Sequence, residues 1–287
     1  MAPVKRFLLP IFASLFVALP VTRAQSARPR TLEIPDGKLV LKAYFWLPAG
    51  RAPFPAVLFN HASGGENAGT TAGMPITETA ERLAPLFLQR GYAFLYVFRR
   101  GQGLSADQAP FMQDLLQKEE AAHGKEARQH YQDTVLLPEH LQDVLASLAF
   151  LKRLPGVDPK RIALVGHSFG GQLTLLAAER DSNVRAAVAF APAAVSWVKS
   201  EIVRKQLLAA VRSTHAAVML IQAENDYDTA PSRTLADELD HQQRPHVLKI
   251  YPAVGVTPED GHNFLYGAVS VWERDVFSFL DRYTRPE

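Results

Sequence analysis

Residues 161–180 leave this chain few folds to choose from. An apolar run, Ile162-Ala163-Leu164-Val165, ends in Gly166-His167-Ser168-Phe169-Gly170-Gly171, and the helix-forming Gln172-Leu173-Thr174-Leu175-Leu176-Ala177-Ala178-Glu179 follows at once. The pattern is strand, tight turn, helix. A serine at the apex of such a turn projects from the sheet edge, and the next backbone N–H lies at a helix N-terminus, where negative charge is stabilised. The flanking glycines fit a bend with strained backbone angles and a close approach of strand to helix. A serine without chemical duty would account for the strand and the helix, but not for both glycines.

The rest of the chain supplies a sheet for that turn. Strand-like segments are read at 31–47 (two pieces around the turn Pro35-Asp36-Gly37), 55–60, 92–98, 161–165, 185–190, 216–222 and 247–251. Helical patterns cover 76–90, 138–154, 169–180, 231–241 and 269–283. Strands alternating with helices imply a mostly parallel sheet flanked by helices on both faces. Residues 106–137 break the alternation: they are polar and helix-prone, and long for a βα connection. They form a small helical insertion after the fourth core strand, expected either to overhang the ligand crevice as a lid or to run solvated away from it.

The first 24 residues have the form of a leader, with basic Lys5 and Arg6, an apolar run from Phe7 to Val21, and Thr22-Arg23-Ala24 before a cleavage point at Gln25. Pro10 and Pro20 interrupt the run, which is shorter than the roughly 20 residues that span a bilayer. The expectation is an exported mature chain, 25–287, forming one domain without stable membrane association; an uncleaved anchor is the alternative. Cleavage removes Lys5, Arg6 and Arg23 and no acid, taking the formal charge from +2 to −1, so no nucleic-acid footprint is expected. With no cysteine, the chain has no thiol nucleophile, no disulfide framework and no Cys-based zinc site. No His-Glu-x-x-His motif occurs either, and no metal or cofactor is expected.

A nucleophilic serine needs a base, and the base an orienting acid. Of nine histidines, His262 lies just past the last strand, in a loop on the same sheet edge as Ser168. The acid belongs after an earlier strand, where Glu224, Asp226 and Asp228 all qualify and one of the aspartates is expected to cap the following helix. An oxyanion needs two fixed donors. Phe169 N–H is one; the other comes from Asn60-His61-Ala62-Ser63-Gly64-Gly65, with Ser63 N–H first and Ala62 second. No Gly-Lys-Ser/Thr follows that turn, which argues against phosphate binding.

These four segments, Gly166–Gly171, Asn60–Gly65, Gln222-Ala223-Glu224-Asn225-Asp226 and Asp260-Gly261-His262, together resemble the α/β-hydrolase superfamily, nearest its dienelactone-hydrolase-like and prolyl-oligopeptidase-like branches. The likeness covers about residues 35–285. It implies the α/β-hydrolase fold and a triad in the chain order Ser168, Asp226, His262, since the family's spacing after the strand selects Asp226. It implies a serine hydrolase acting on a small-molecule carboxylic ester. A peptidase of the prolyl-oligopeptidase type, or a binding protein that has lost catalysis, are the alternatives. Two departures stand out. Dienelactone hydrolases use a cysteine where this chain has Ser168, and relatives with Asp-x-Arg-Gly-x-Gly-x-Ser after the fourth strand are matched here by Phe98-Arg99-Arg100-Gly101-Gln102-Gly103-Leu104-Ser105.

Candidate substrate-binding residues are His61 and His167, beside the two glycine-rich turns, and Arg99 and Arg100, after the fourth strand. Alternation along an extended backbone turns one arginine toward the crevice and the other toward a carboxylate of the insertion. The competing expectation has both as ties to Glu119, Glu120 or Glu126.

Overall fold

The computed structural model describes residues 28–64 and 67–285. The leader at 1–24 and Gly65 lie outside the described residues.

Continuous apolar runs form strands here because parallel strands are covered on both faces. The strands are β1 (Arg30–Asp36), β2 (Leu39–Trp46), β3 (Phe54–Asn60), β4 (Ala93–Phe98), β5 (Val157–His167), β6 (Val184–Phe190), β7 (Ala217–Ala223) and β8 (His246–Tyr251). They make one eight-stranded sheet in the order β1-β2-β4-β3-β5-β6-β7-β8. The pairs β1–β2 and β2–β4 are antiparallel; all others are parallel. Mostly parallel pairing brings the carboxyl ends of β3, β5, β7 and β8 to one edge, where ligands bind in such sheets.

Side chains along each strand alternate between two cores. Leu58, Leu95, Leu164 and Leu220 face helices α2 (Met112–Tyr131), α3 (Leu137–Leu151), α4 (Phe169–Arg180), α5 (Glu201–Ser213) and α6 (Ala230–His241). Phe59, Phe94, Tyr96 and Val165 face α1 (Ile76–Gln89) and α9 (Val269–Thr284), whose Trp272, Val276, Phe277 and Leu280 fill the opposite core. Between β8 and α9 lie two short helices, α7 (Pro258–His262) and α8 (Phe264–Gly267). Helix α5 is additional to the elements read from the sequence. Its signal is Ser200, whose side chain accepts from Val203 N, ahead of buried Val203, Leu207, Ala210 and Val211.

Within 106–137, a 3₁₀ turn (Gly103–Gln108) leads to α2 and then a π turn (Gln132–Leu136). Helix α2 is interrupted at Gly124, with φ 89° and ψ 176°. It buries only Met112 and Leu116, as its polar sequence dictates.

Candidate active site

Ser168 sits between β5 and α4 with φ 56° and ψ −119°, a backbone conformation that non-glycine residues rarely adopt. Its N–H donates to Phe190 O at 2.8 Å, and α4 begins at the next residue. The glycines act through contact. A Cβ on Gly166 would lie 2.3 Å from Gly170 O, and one on Gly170 would lie 2.0 Å from Asn60 O and 2.3 Å from His61 O. The absent side chains therefore let α4 rest on the end of β3 and bring the loop after β3 beside Ser168.

Asp226 hangs in the turn after β7, its N–H donating to Ala223 O at 3.1 Å. Its Oδ2 accepts from Gln222 Nε2 at 2.8 Å and its Oδ1 from Tyr227 N at 2.7 Å. His262 was expected in a loop; it instead ends α7, five residues long. Thr257 Oγ1 accepts from Asp260 N at 3.1 Å while Asp260 Oδ2 accepts from Thr257 N at 2.9 Å, and Pro258 opens the helix. The N–H groups of Thr257 and Val256, both donating to Asp260 Oδ2, hold its carboxyl below the usual range. The acid turn and α7 are pinned together by Asn225, whose Nδ2 donates to Val254 O and Thr257 O, each at 2.9 Å. Gly261 makes this approach possible, since a Cβ there would fall 2.6 Å from Asn225 Oδ1.

The three side chains meet in a row. His262 Nδ1 lies 2.8 Å from Asp226 Oδ1, and its Nε2 lies 2.9 Å from Ser168 Oγ. Asp226 and His262 are buried and Ser168 half-buried at the wall of a crevice of about 510 Å³. Ala62, Ser63, Gly64, His167, Phe169 and Tyr227 also line it. Residues 106–137 contribute Gln113, Arg128, Gln129 and Gln132, so this stretch reaches the crevice rather than running away from it.

Of the four candidate substrate residues, three lie off the crevice and one, His167, lines it. Arg99 is fully buried and does not line the crevice; it donates to the carbonyls of His61 and Ala62, each at 2.8 Å. Arg100 also lies off the crevice and bonds Asp143 Oδ1 through Nε at 2.7 Å, with Asp36 and Glu139 at 3.3 Å and 3.8 Å. These partners belong to β1 and α3, so neither Glu119, Glu120 nor Glu126 holds it. Alternation failed as a guide because β4 ends at Phe98, and the arginines leave the pleat. His61 is buried behind the loop, stacked on Tyr96 at 5.8 Å. His167 lines the crevice but is tied down: its Nε2 donates to His262 O at 2.8 Å, and burial lowers its pKa to about 3, so it is neutral.

Gln222, Asn225 and Gln102 are supporting residues that stand in the sequence only as members of the quoted motifs, with no role of their own assigned. Gln222 carried a signal: it is the polar last-but-one residue of an otherwise apolar strand, at the edge where the site lies.

The sequence profile of the Dienelactone hydrolase family matches residues 41–273. The chain is 26% identical over 164 residues to the Quorum-quenching protein AidA of Acinetobacter baumannii; the alignment covers 57% of this chain and 44% of that protein. It thus spans less than half of that relative's length. Among solved structures it superposes on the acylaminoacyl peptidase of Pyrococcus horikoshii with a TM-score of 0.65 at 18% identity, over 92% of this chain and 43% of that one. The dienelactone hydrolase of Anabaena variabilis superposes with a TM-score of 0.59 at 19% identity, over 90% and 100%. At such identities the likeness speaks for the fold.

Proposed function

From the premise that this chain belongs to the dienelactone hydrolase family, we propose that it is a serine hydrolase that cleaves carboxylic esters through an acyl-enzyme on Ser168. The observation that carries this reading is the pair of contacts on His262, 2.9 Å to Ser168 Oγ and 2.8 Å to Asp226 Oδ1, at the wall of an open crevice.

With Nδ1–H donating to Asp226, the imidazole keeps its Nε2 lone pair for the serine proton. Ser168 Oγ attacks the acyl carbon as Nε2 takes that proton, and Asp226 stabilises the imidazolium. The negative oxygen of the tetrahedral intermediate is received by Phe169 N–H and by Ser63 or Ala62 N–H. Collapse returns the proton from Nε2 to the departing alkoxide. Water then repeats the sequence on the acyl-enzyme, releasing the acid and restoring Ser168.

The test uses a fluorophosphonate probe with a panel of p-nitrophenyl esters, and an aminoacyl p-nitroanilide alongside. Labelling at Ser168 with ester turnover is expected. Ser168→Ala should remove labelling and lower kcat by about 10⁴-fold or more without loss of fold. Faster turnover of the anilide than of any ester would replace the esterase reading by a peptidase one. A folded Ser168→Ala protein with substantial ester turnover would remove both.

A further inference from the structure

The loop after β3 presents three successive carbonyls to one side. Arg99 Nη1 donates to His61 O and Arg99 Nη2 to Ala62 O, each at 2.8 Å, and Gln102 Nε2 donates to Ser63 O. A trans peptide is planar, with its C=O and the following N–H pointing in opposite directions. Holding these carbonyls therefore turns the N–H groups of Ala62, Ser63 and Gly64 the other way. Those three residues line the crevice beside Ser168 and Phe169, whereas Arg99 and Gln102 are fully buried and do not.

Among the described residues the cation has little else to neutralise it. Asp143, the nearby carboxylate, is taken up by Arg100, through backbone N at 2.8 Å and Nε at 2.7 Å. The remaining contacts of Arg99 are an amide, Gln102 Oε1 at 3.3 Å, and the His61 ring. Its guanidinium carbon lies 5.7 Å from the centre of the Phe169 ring, so it stands behind both the loop and the residue after the nucleophile. Burial lowers its pKa to about 10, which leaves it protonated at neutral pH. A buried positive charge at the carbonyl end of a peptide makes the N–H end a better donor, and low local polarity preserves its field.

We propose that Arg99 is the positioning residue of the oxyanion hole, aiming and polarising the N–H groups of Ala62 and Ser63 from behind, while Gln102 fixes the next peptide, Ser63–Gly64, and so steadies Ser63 from its other side. The proposal rests on the serine-hydrolase reading above.

Its test measures kcat and KM for p-nitrophenyl acetate, and the affinity of an alkyl trifluoromethyl ketone, which forms a tetrahedral adduct with its oxyanion in the hole. Arg99→Met should lower kcat by about 10²–10³-fold, the effect of losing an oxyanion donor, with KM little changed. Ketone affinity should fall in step with kcat/KM. Arg99→Lys should recover part of the loss, since an ammonium can hold one carbonyl but not the fork. Gln102→Leu should weaken both readouts less, and it decides the matter if Arg99→Met does not fold. A change confined to KM, ketone affinity unaltered in Gln102→Leu, or Arg99→Lys no better than Arg99→Met would overturn the proposal. Wild-type protein labelled by fluorophosphonate at Ser168 keeps the parent reading separate from this outcome; absence of labelling and of ketone binding would end both.

Discussion

Asp226 and Asp228 are two residues apart, yet their surroundings differ. Asp226 faces His262 and accepts from Gln222 and Tyr227, whereas Asp228 Oδ1 accepts from Ala230 N at 2.8 Å, at the start of α6. Asp226→Asn should therefore lower kcat by about 10⁴-fold, because an amide no longer fixes the imidazole tautomer or stabilises its cation. The cap position of α6 is Thr229, not an aspartate, and among the described residues the Asp228 side chain makes only this local turn contact. Asp228→Asn should leave kcat near wild type and cost at most about 1 kcal/mol, since an asparagine oxygen can accept the same Ala230 N–H. Kinetics and urea titration of the two variants check this; a larger kcat loss in Asp228→Asn would reverse the assignment. The residues alone left three acids open after β7, and only the resemblance to a family chose among them. Arg99 was less legible still. Its partners are carbonyls of residues 37 and 38 positions away, on a loop whose conformation no local pattern specifies.

At the scale of elements, what was local was readable. The βα turn around Ser168 is written in consecutive residues, and of its glycines Gly166 answers to the turn itself, Gly170 to the end of β3 and Gly171 to the end of β6. Their demands differ. A Cβ on Gly170 would strike the Asn60 carbonyl at 2.0 Å, while one on Gly171 would come no nearer than 3.1 Å to Phe190 O. Gly170→Ala must push α4 off the end of β3, and about 3 kcal/mol or more of destabilisation is expected, with loss of activity. Gly171→Ala asks for a shift of a few tenths of an ångström and should cost much less. Equal urea midpoints for the two variants would contradict this account. Strand order was harder to read than strand identity. That β4 lies between β2 and β3 follows from pairing across the sheet, and so does the partnership of Arg100 with β1 and α3. Periodicity states which faces are apolar, but not which neighbour covers them.

At the scale of the whole molecule, the site rests on buried imidazoles, and these couple its stability to pH. His61, His140 and His167 are all buried, and burial is the chief cause lowering each pKa, with Arg99 adding repulsion at His61 and His140. In the unfolded chain the same groups titrate near 6.5. Below about pH 6.5 the unfolded chain thus takes up three protons that the folded chain refuses; for His167 this window extends down to about 3. Stability must fall with pH wherever the unfolded state binds more protons, by about 1.4 kcal/mol per unit for each group, or up to about 4 for three. Asp143 opposes part of this. Burial raises its carboxyl to about 6, so between that value and 3.8 the folded chain itself takes up one proton, which makes the decline shallower. Stability should therefore decline between pH 6.5 and 5, which matters for a domain whose total is typically about 5–15 kcal/mol. Denaturant titrations across that range should show the decline, and His140→Gln should make it shallower by about one imidazole's share. Unfolding free energy that is flat or rising on acidification would mean that these histidines are protonated in the folded protein, and the neutral His167 that ties down His262 would go with them.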